Sequence, residues 1–397
     1  MMAGAALIAH GGGPTAVLNA SLLGAIEEAR EHAEITALYG AKFGISGILE
    51  QNFVDLFRQS DETLLAAALA PSSALGTSRR EVTEQDLDRV LAIFRAHNVR
   101  YFFYNGGNGT MGTARQLQEY TRRKGQELQV VGIPKTIDND LLATDHAPGY
   151  ASAARFFALA ARDVGADNLA LPGQVEFLEV LGRNVGWLAA ATSLARRDAD
   201  DAPHLIYLPE TPLPQEQLLD DVHRVFNRLG RCVVAVCEGQ LDEHGEAFGA
   251  DVRTGSRGSL AMNLGHRLAR LITERLKIRA RGEKPGLLGR VSSLCISDTD
   301  WSEARLCGAR AVAAAVAGHG GNMVTLRRDE NSPEYRIDTA LAPLDEVALR
   351  ERHFPGEWRN AEGNGILPEF QNYALPLVGE IAPLVQIQDI PVAKRSL

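Results

Sequence analysis

The stretch YFFYNGGNGTMGTARQL, residues 101–117, decides the fold when read with VVGIPKTIDNDLLATDHAPG, residues 130–149. Each begins with an apolar run of strand length and leads into a loop, the first rich in glycine and the second in carboxylates. Val99 to Tyr104 is expected to be a buried strand, Gly106 to Thr110 a loop, and Met111 to Lys124 a helix. Leu128 to Ile133 is the next expected strand. It ends at Pro134, which has no N–H to continue a central ladder. Lys135, Thr136, Asp138, Asn139, Asp140 and Asp145 then crowd one loop. Carboxylates at the end of a buried strand are costly without a partner or a role. There they suit taking a proton from a hydroxyl nucleophile or holding Mg2+. An Asx-rich turn that only caps the next helix is the plainer alternative.

Outward from this stretch, the pattern repeats. Ala5 to Ala9 reads as a strand, Gly11 to Gly13 as its loop, and Val17 onward as a helix. Such a loop brings backbone N–H groups to a phosphate, although a tight turn without a ligand reads the same. Glu34 to Tyr39 is an expected strand, the segment holding Gly40, Lys42 and Gly44 a loop, and Asp61 to Ala70 a helix. Gly76, Thr77 and Ser78 precede paired Arg79 and Arg80, and Thr83 with Asp86 signals a helix start. Downstream, strands are expected at Val175–Leu181, His204–Leu208 and Cys232–Cys237. Helices are expected at Ala151–Val164, Trp187–Leu194, Gln215–Leu229, Asn263–Ile278 and Trp301–Ala317. Gly286 to Gly289 reads as a turn, and Met323–Arg327 with Tyr335–Ile337 as an antiparallel pair. This alternation implies open, mostly parallel α/β sheets, with ligands beyond the carboxyl ends of the strands.

Composition sets outer bounds. The 397 residues are 45% hydrophobic and 23% charged, with a formal charge of -9. That charge argues against a nucleic-acid or membrane-surface partner, either of which needs a basic face. No apolar run of membrane-spanning length occurs, and no basic segment precedes the first apolar run. Cys232, Cys237, Cys295 and Cys307 lack metal-ligand spacing and read as buried thiols in a reducing cytoplasm.

Taken together, the loops resemble those of the 6-phosphofructokinase family. The motifs are GGGPTAVLNAS (residues 11–21), GTSR (76–79), GGNGT (106–110), PKTIDND (134–140), EVLGRNVGW (179–187) and VCEG (236–239). The resemblance covers roughly residues 5–320. It implies two Rossmann-like three-layer αβα domains with mostly parallel sheets. Residues 1–160 would bind the phosphoryl donor, with later segments able to rejoin them. Residues 161–320 would bind the sugar phosphate, and 321–397 form a C-terminal extension like that of the longer bacterial and pyrophosphate-type members. It also implies phosphorylation of the 1-hydroxyl of fructose 6-phosphate, with Mg2+ as cofactor, in a cytoplasmic homodimer or homotetramer. Asp138 would be the general base, with Lys135 and Arg183 also catalytic. Thr136, Asp140, Leu181, Gly182, Glu238, Lys284 and Arg290 would join Asp138 and Arg183 around the sugar phosphate. Gly12, Arg79, Gly107, Asn108, Gly109 and Thr110 would surround the donor, Asn108 also meeting the metal.

Three departures bear on substrate choice. Gly109 stands where pyrophosphate-type members place Asp, and leaves room for the α-phosphate of ATP. Lys135 is the pyrophosphate-type residue, suited to a pyrophosphate leaving group. ATP is slightly favoured on balance, with a pyrophosphate-dependent enzyme the alternative. In the 6-phosphate pocket, Ser293 and Gln174 replace expected arginines, which leaves open another sugar-phosphate acceptor, since a phosphate dianion prefers several Arg or Lys donors. A non-catalytic phosphosugar-binding protein fits less well. A dinucleotide-binding dehydrogenase is disfavoured, because the first loop lacks GxGxxG with its distant acidic residue.

Overall fold

The computed structural model describes residues 3–248, 263–388 and 390–393, so the expected segments 1–160 and 321–397 run past it at their ends. Eleven strands occur among the described residues: β1 Gly4–His10, β2 Ile35–Ala41, β3 Phe53–Asp55, β4 Val99–Gly106, β5 Gln129–Pro134, β6 Gln174–Val180, β7 Leu205–Tyr207, β8 Cys232–Cys237, β9 Arg279–Glu283, β10 Asn322–Arg328 and β11 Ile337–Pro343. They form two sheets, ordered β11-β10-β5-β4-β1-β2-β3 and β7-β8-β6-β9. The second is parallel throughout, and the first is parallel except at its antiparallel edges, β3 and β11.

Alternation along each strand shows why both sheets are covered twice. Ala5, Leu7 and Ala9 of β1 enter one apolar cluster, and Ala6 and Ile8 enter another on the opposite face. In β6, Leu178 and Val180 face one cluster while Val175 and Phe177 face another. Helices therefore lie on both faces of both sheets, the three-layer α/β arrangement expected from the sequence. No described helix is long and apolar enough to cross a membrane. All four cysteines are unpaired thiols, and Cys295 is partly exposed rather than buried.

Several expectations are corrected. The helix after β4 begins at Asn108, not Met111, because Gly107 is the extended residue before it. The helix after the carboxylate loop runs Tyr150–Ala170, past Val164. It tolerates Gly165 because a Cβ there would meet the Ala202 Cβ at 2.6 Å. Of the expected loop, Gly40 belongs to β2 and Gly44 begins a helix, Gly44–Leu49. The polar segment Arg279–Glu283 is an edge strand, and β11 begins only at Ile337.

Candidate active site

Parallel strands send their carboxyl-terminal loops to one side. β1 leads to Gly11–Gly13, β4 to Gly107, β5 to Lys135–Asp140, β6 to Leu181–Asn184, β8 to Glu238 and β9 to Lys284.

Lys135 ties the first group together. Its side chain is buried, and Nζ donates to the carbonyl oxygens of Gly11 at 2.9 Å and Gly13 at 2.5 Å. Burial lowers its pKa, as does Arg290, to about 8, while Asp138 and Asp140 pull it back up. Gly12, with φ +75°, sends its N–H to the Ser78 carbonyl at 2.9 Å. That bond stitches the Gly11–Gly13 loop to the Gly76–Arg79 loop. A Cβ on Gly13 would lie 3.0 Å from Arg290 Nη1 and 3.4 Å from Arg79 Nη2, so two guanidinium groups flank this loop. Thr110 is buried where glycines make room for it: a Cβ on Gly11 or Gly106 would stand 2.3 or 2.2 Å from its Oγ1. Gly109 has open space around it.

The Asp138 N–H donates to Thr136 Oγ1 at 3.0 Å, and Thr136 N–H to the Pro148 carbonyl. Burial raises the Asp138 pKa, and the charges of Asp140 and Glu238 raise it further against Lys135. Asn108 Nδ2 donates to Asp140 Oδ2 at 2.9 Å. Asn108 Oδ1 and Asp140 Oδ1 are both buried without a hydrogen-bond partner. Paired oxygen acceptors lacking a donor suit a hard cation, so the residues fit Mg2+. Among the described residues there is no cluster of three or more His, Cys, Asp or Glu that would make a different metal centre.

On the second sheet, Gly182 has φ +131°, and a Cβ there would lie 2.7 Å from Cys237 Sγ. A Cβ on Gly239 would lie 1.7 Å from the Arg183 carbonyl oxygen. Both loops are thus pressed together by glycine, setting Arg183 beside Glu238, with Leu181 packed on the core beneath. Burial raises the Glu238 pKa, Lys284 opposes this, and Glu179 adds to it. Lys284 is not a free cation: its Nζ is 2.6 Å from Glu179 Oε1, a buried carboxylate whose Oε2 also accepts the Gly265 N–H. Arg290, expected at the sugar phosphate, instead meets the donor-side loop at Gly13, and Asp138 and Glu238 act on its charge. Gln174 opens β6, at the end away from Gly182, and donates to Glu176 at 2.7 Å.

Sequence reasoning gave no role to Glu179, quoted only as the first residue of a motif, or to the segment around Arg352. No element or role was assigned to that segment, yet Arg352 touches the carboxylate loop.

A family model described as Phosphofructokinase matches residues 5–324. The chain is 39% identical to the pyrophosphate–fructose 6-phosphate 1-phosphotransferase of Rhodospirillum rubrum, over 99% of both chains. It is 35% identical to the protein of that name from Xanthomonas campestris, over 100% of this chain and 99% of that one. The crystal structure of a pyrophosphate-dependent phosphofructokinase from Marinobacter aquaeolei superposes with a TM-score of 0.86 at 32% identity, covering 99% of this chain and 98% of that one.

Proposed function

The chain belongs to the phosphofructokinase family, and we propose that it moves a phosphoryl group between pyrophosphate and the 1-hydroxyl of fructose 6-phosphate, yielding fructose 1,6-bisphosphate and phosphate. The observation that carries this reading is the Lys135 ammonium seated on the Gly11 and Gly13 carbonyls, with Arg79 and Arg290 flanking the same loop and Asp138 three residues on.

Asp138 takes the hydroxyl proton as the sugar oxygen bonds to the terminal phosphorus. The bridging P–O bond breaks and phosphate leaves beside Lys135. Such transfer needs mainly positioning and charge stabilisation. Arg79, Arg290, Gly12 and Gly107 surround the donor, and Asn108 and Asp140 would hold Mg2+, which when bound neutralises donor charge. Thr136, Gly182, Arg183 and Glu238 bind the sugar, over the second sheet. The sequence-based preference for ATP is reversed: the full-length relatives carry pyrophosphate-dependent names, and Lys135 agrees with them. A cytoplasmic homo-oligomer belongs to the same reading, supported by unpaired cysteines and by the exposed Leu287, Leu288 and Leu294 beside Arg290.

The test is an assay of the purified protein with Mg2+, fructose 6-phosphate and either donor. Turnover with pyrophosphate and little with ATP is expected. Turnover with ATP alone overturns the donor, and no turnover with either overturns the reaction.

A further inference from the structure

The loop that carries Asp138 is held only in part by its own bonds. Asn139 has φ +56°, which asparagine tolerates, but Ala143 has φ +62°, a left-handed conformation that a residue of its kind keeps only when the surroundings impose it. Beside the Leu326 backbone and Asn108, one residue far along the chain restrains it at four carbonyls. The Arg352 N–H donates to the Asp140 carbonyl at 2.8 Å. Its guanidinium donates to the carbonyls of Asn139 at 3.2 Å and Thr144 at 2.8 Å, and also to that of Asp145. Tyr373 adds to this: its hydroxyl accepts from Asn139 Nδ2 at 3.0 Å and donates to the Asp145 carbonyl at 2.9 Å.

The same segment also grips the sugar-side loop. The Arg352 guanidinium lies 4.5 Å from the centre of the Trp187 ring, and the Trp187 indole N–H donates to the Arg352 carbonyl at 3.1 Å. Next door, both carboxylate oxygens of Glu351 accept from Asn184 Nδ2 at 2.9 Å. Asn184 follows Arg183 directly. Residues 351–352 therefore hold the loop after β5 and the loop after β6 at once. Both residues lie beyond residue 324, where the family match ends.

We propose that Arg352 is a positioning residue for phosphoryl transfer: with Glu351 it clasps the Asp138 loop to the Arg183 loop and sets the base against the sugar hydroxyl. The inference rests on the reaction proposed above for its kinetic readout, but not for its structural one. A cation serving three carbonyls while stacked on an indole cannot be replaced by a neutral side chain, and misplacement of a base by about 1 Å costs about 10²-fold in rate.

The test compares wild type, Arg352→Gln and Arg352→Lys by steady-state kinetics with pyrophosphate, calorimetric binding of fructose 6-phosphate, thermal melting and hydrogen exchange of residues 138–146. Arg352→Gln should lower kcat about 10²-fold while sugar-phosphate affinity changes far less, and the loop should lose protection. Arg352→Lys keeps the charge over Trp187 and should recover part of the rate. A variant that melts lower but keeps kcat and loop protection overturns the proposal, as does a rise in KM with kcat unchanged. If Arg352→Gln does not fold, Arg352→Lys with wild-type kcat and protection overturns it. If wild type turns over neither donor, the proposed reaction has failed, and exchange of residues 138–146 still decides whether the clasp exists.

Discussion

A carboxylate that must accept a proton from a sugar hydroxyl works best when the exclusion of water and neighbouring negative charge have raised its affinity for that proton. Asp138 has both, in burial and in Asp140 and Glu238, with Lys135 holding the rise in check. Replacing Asp138 by Ala should lower kcat by roughly 10²- to 10⁴-fold, the range for loss of a general base, with fructose 6-phosphate binding largely kept. Near-normal turnover of the variant would remove Asp138 from the base role. The places of Asp138, Arg183 and Glu238, just after strands β5, β6 and β8, were legible without a structure, while the roles proposed for them come from the family resemblance. Arg352 was not legible, because its partners are backbone carbonyls, which leave no trace in sequence. Lys284 was read for its charge alone, while Glu179, which answers that charge, looked like part of a buried strand.

Between elements, glycine records contact that propensity hides. The helices Leu18–Arg30 and Asp298–Val316 cross so closely that a Cβ on Gly24 would lie 1.9 Å from the Arg305 carbonyl oxygen. A Cβ on Gly308 would lie 1.9 Å from that of Ser21. In an open helix Gly→Ala gains about 1 kcal/mol, whereas here overpacking should cost about 1–3 kcal/mol. Gly24→Ala and Gly308→Ala should each lower the denaturation midpoint, and a raised midpoint would show that the helices can separate without cost. Elements with two covered faces were readable because their apolar runs are continuous, as in β1, β4 and β8. Those that escaped had weaker signals. β9 is a charged edge strand, the helix Gly44–Leu49 holds two glycines in six residues, and the helix Glu369–Val378 contains Pro376.

At the scale of the molecule, buried charge links distant parts of the chain and makes stability depend on pH. His146 is fully buried, with Nδ1 2.8 Å from Asp145 and Nε2 2.5 Å from Glu303. Burial alone would lower its pKa, but bonds to the two carboxylates raise it from the ordinary 6.5 to about 9. The folded state thus binds this proton more tightly than the unfolded chain. Its contribution is complete below about pH 6.5 and disappears as the pH rises through about 9. Lys135, lowered to about 8, acts in the opposite sense, so the contribution of His146 is read as a difference: the urea midpoint of wild type minus that of Glu303→Gln, measured between pH 6 and 10, should shrink across that window. A difference that stays constant or grows over the same range would assign His146 a neutral resting state. The first sheet has a consequence of another kind. Its strand β5 pairs on one side with β4 and on the other with β10, through Val131 with Asn322 and Gly132 with Met323. During synthesis β5 leaves the ribosome long before β10 exists, so the nascent chain carries an open strand edge through the making of the entire second sheet. Such an edge invites pairing with other chains. The order of the strands thus leaves this edge to be closed last, by a segment made after the whole second sheet.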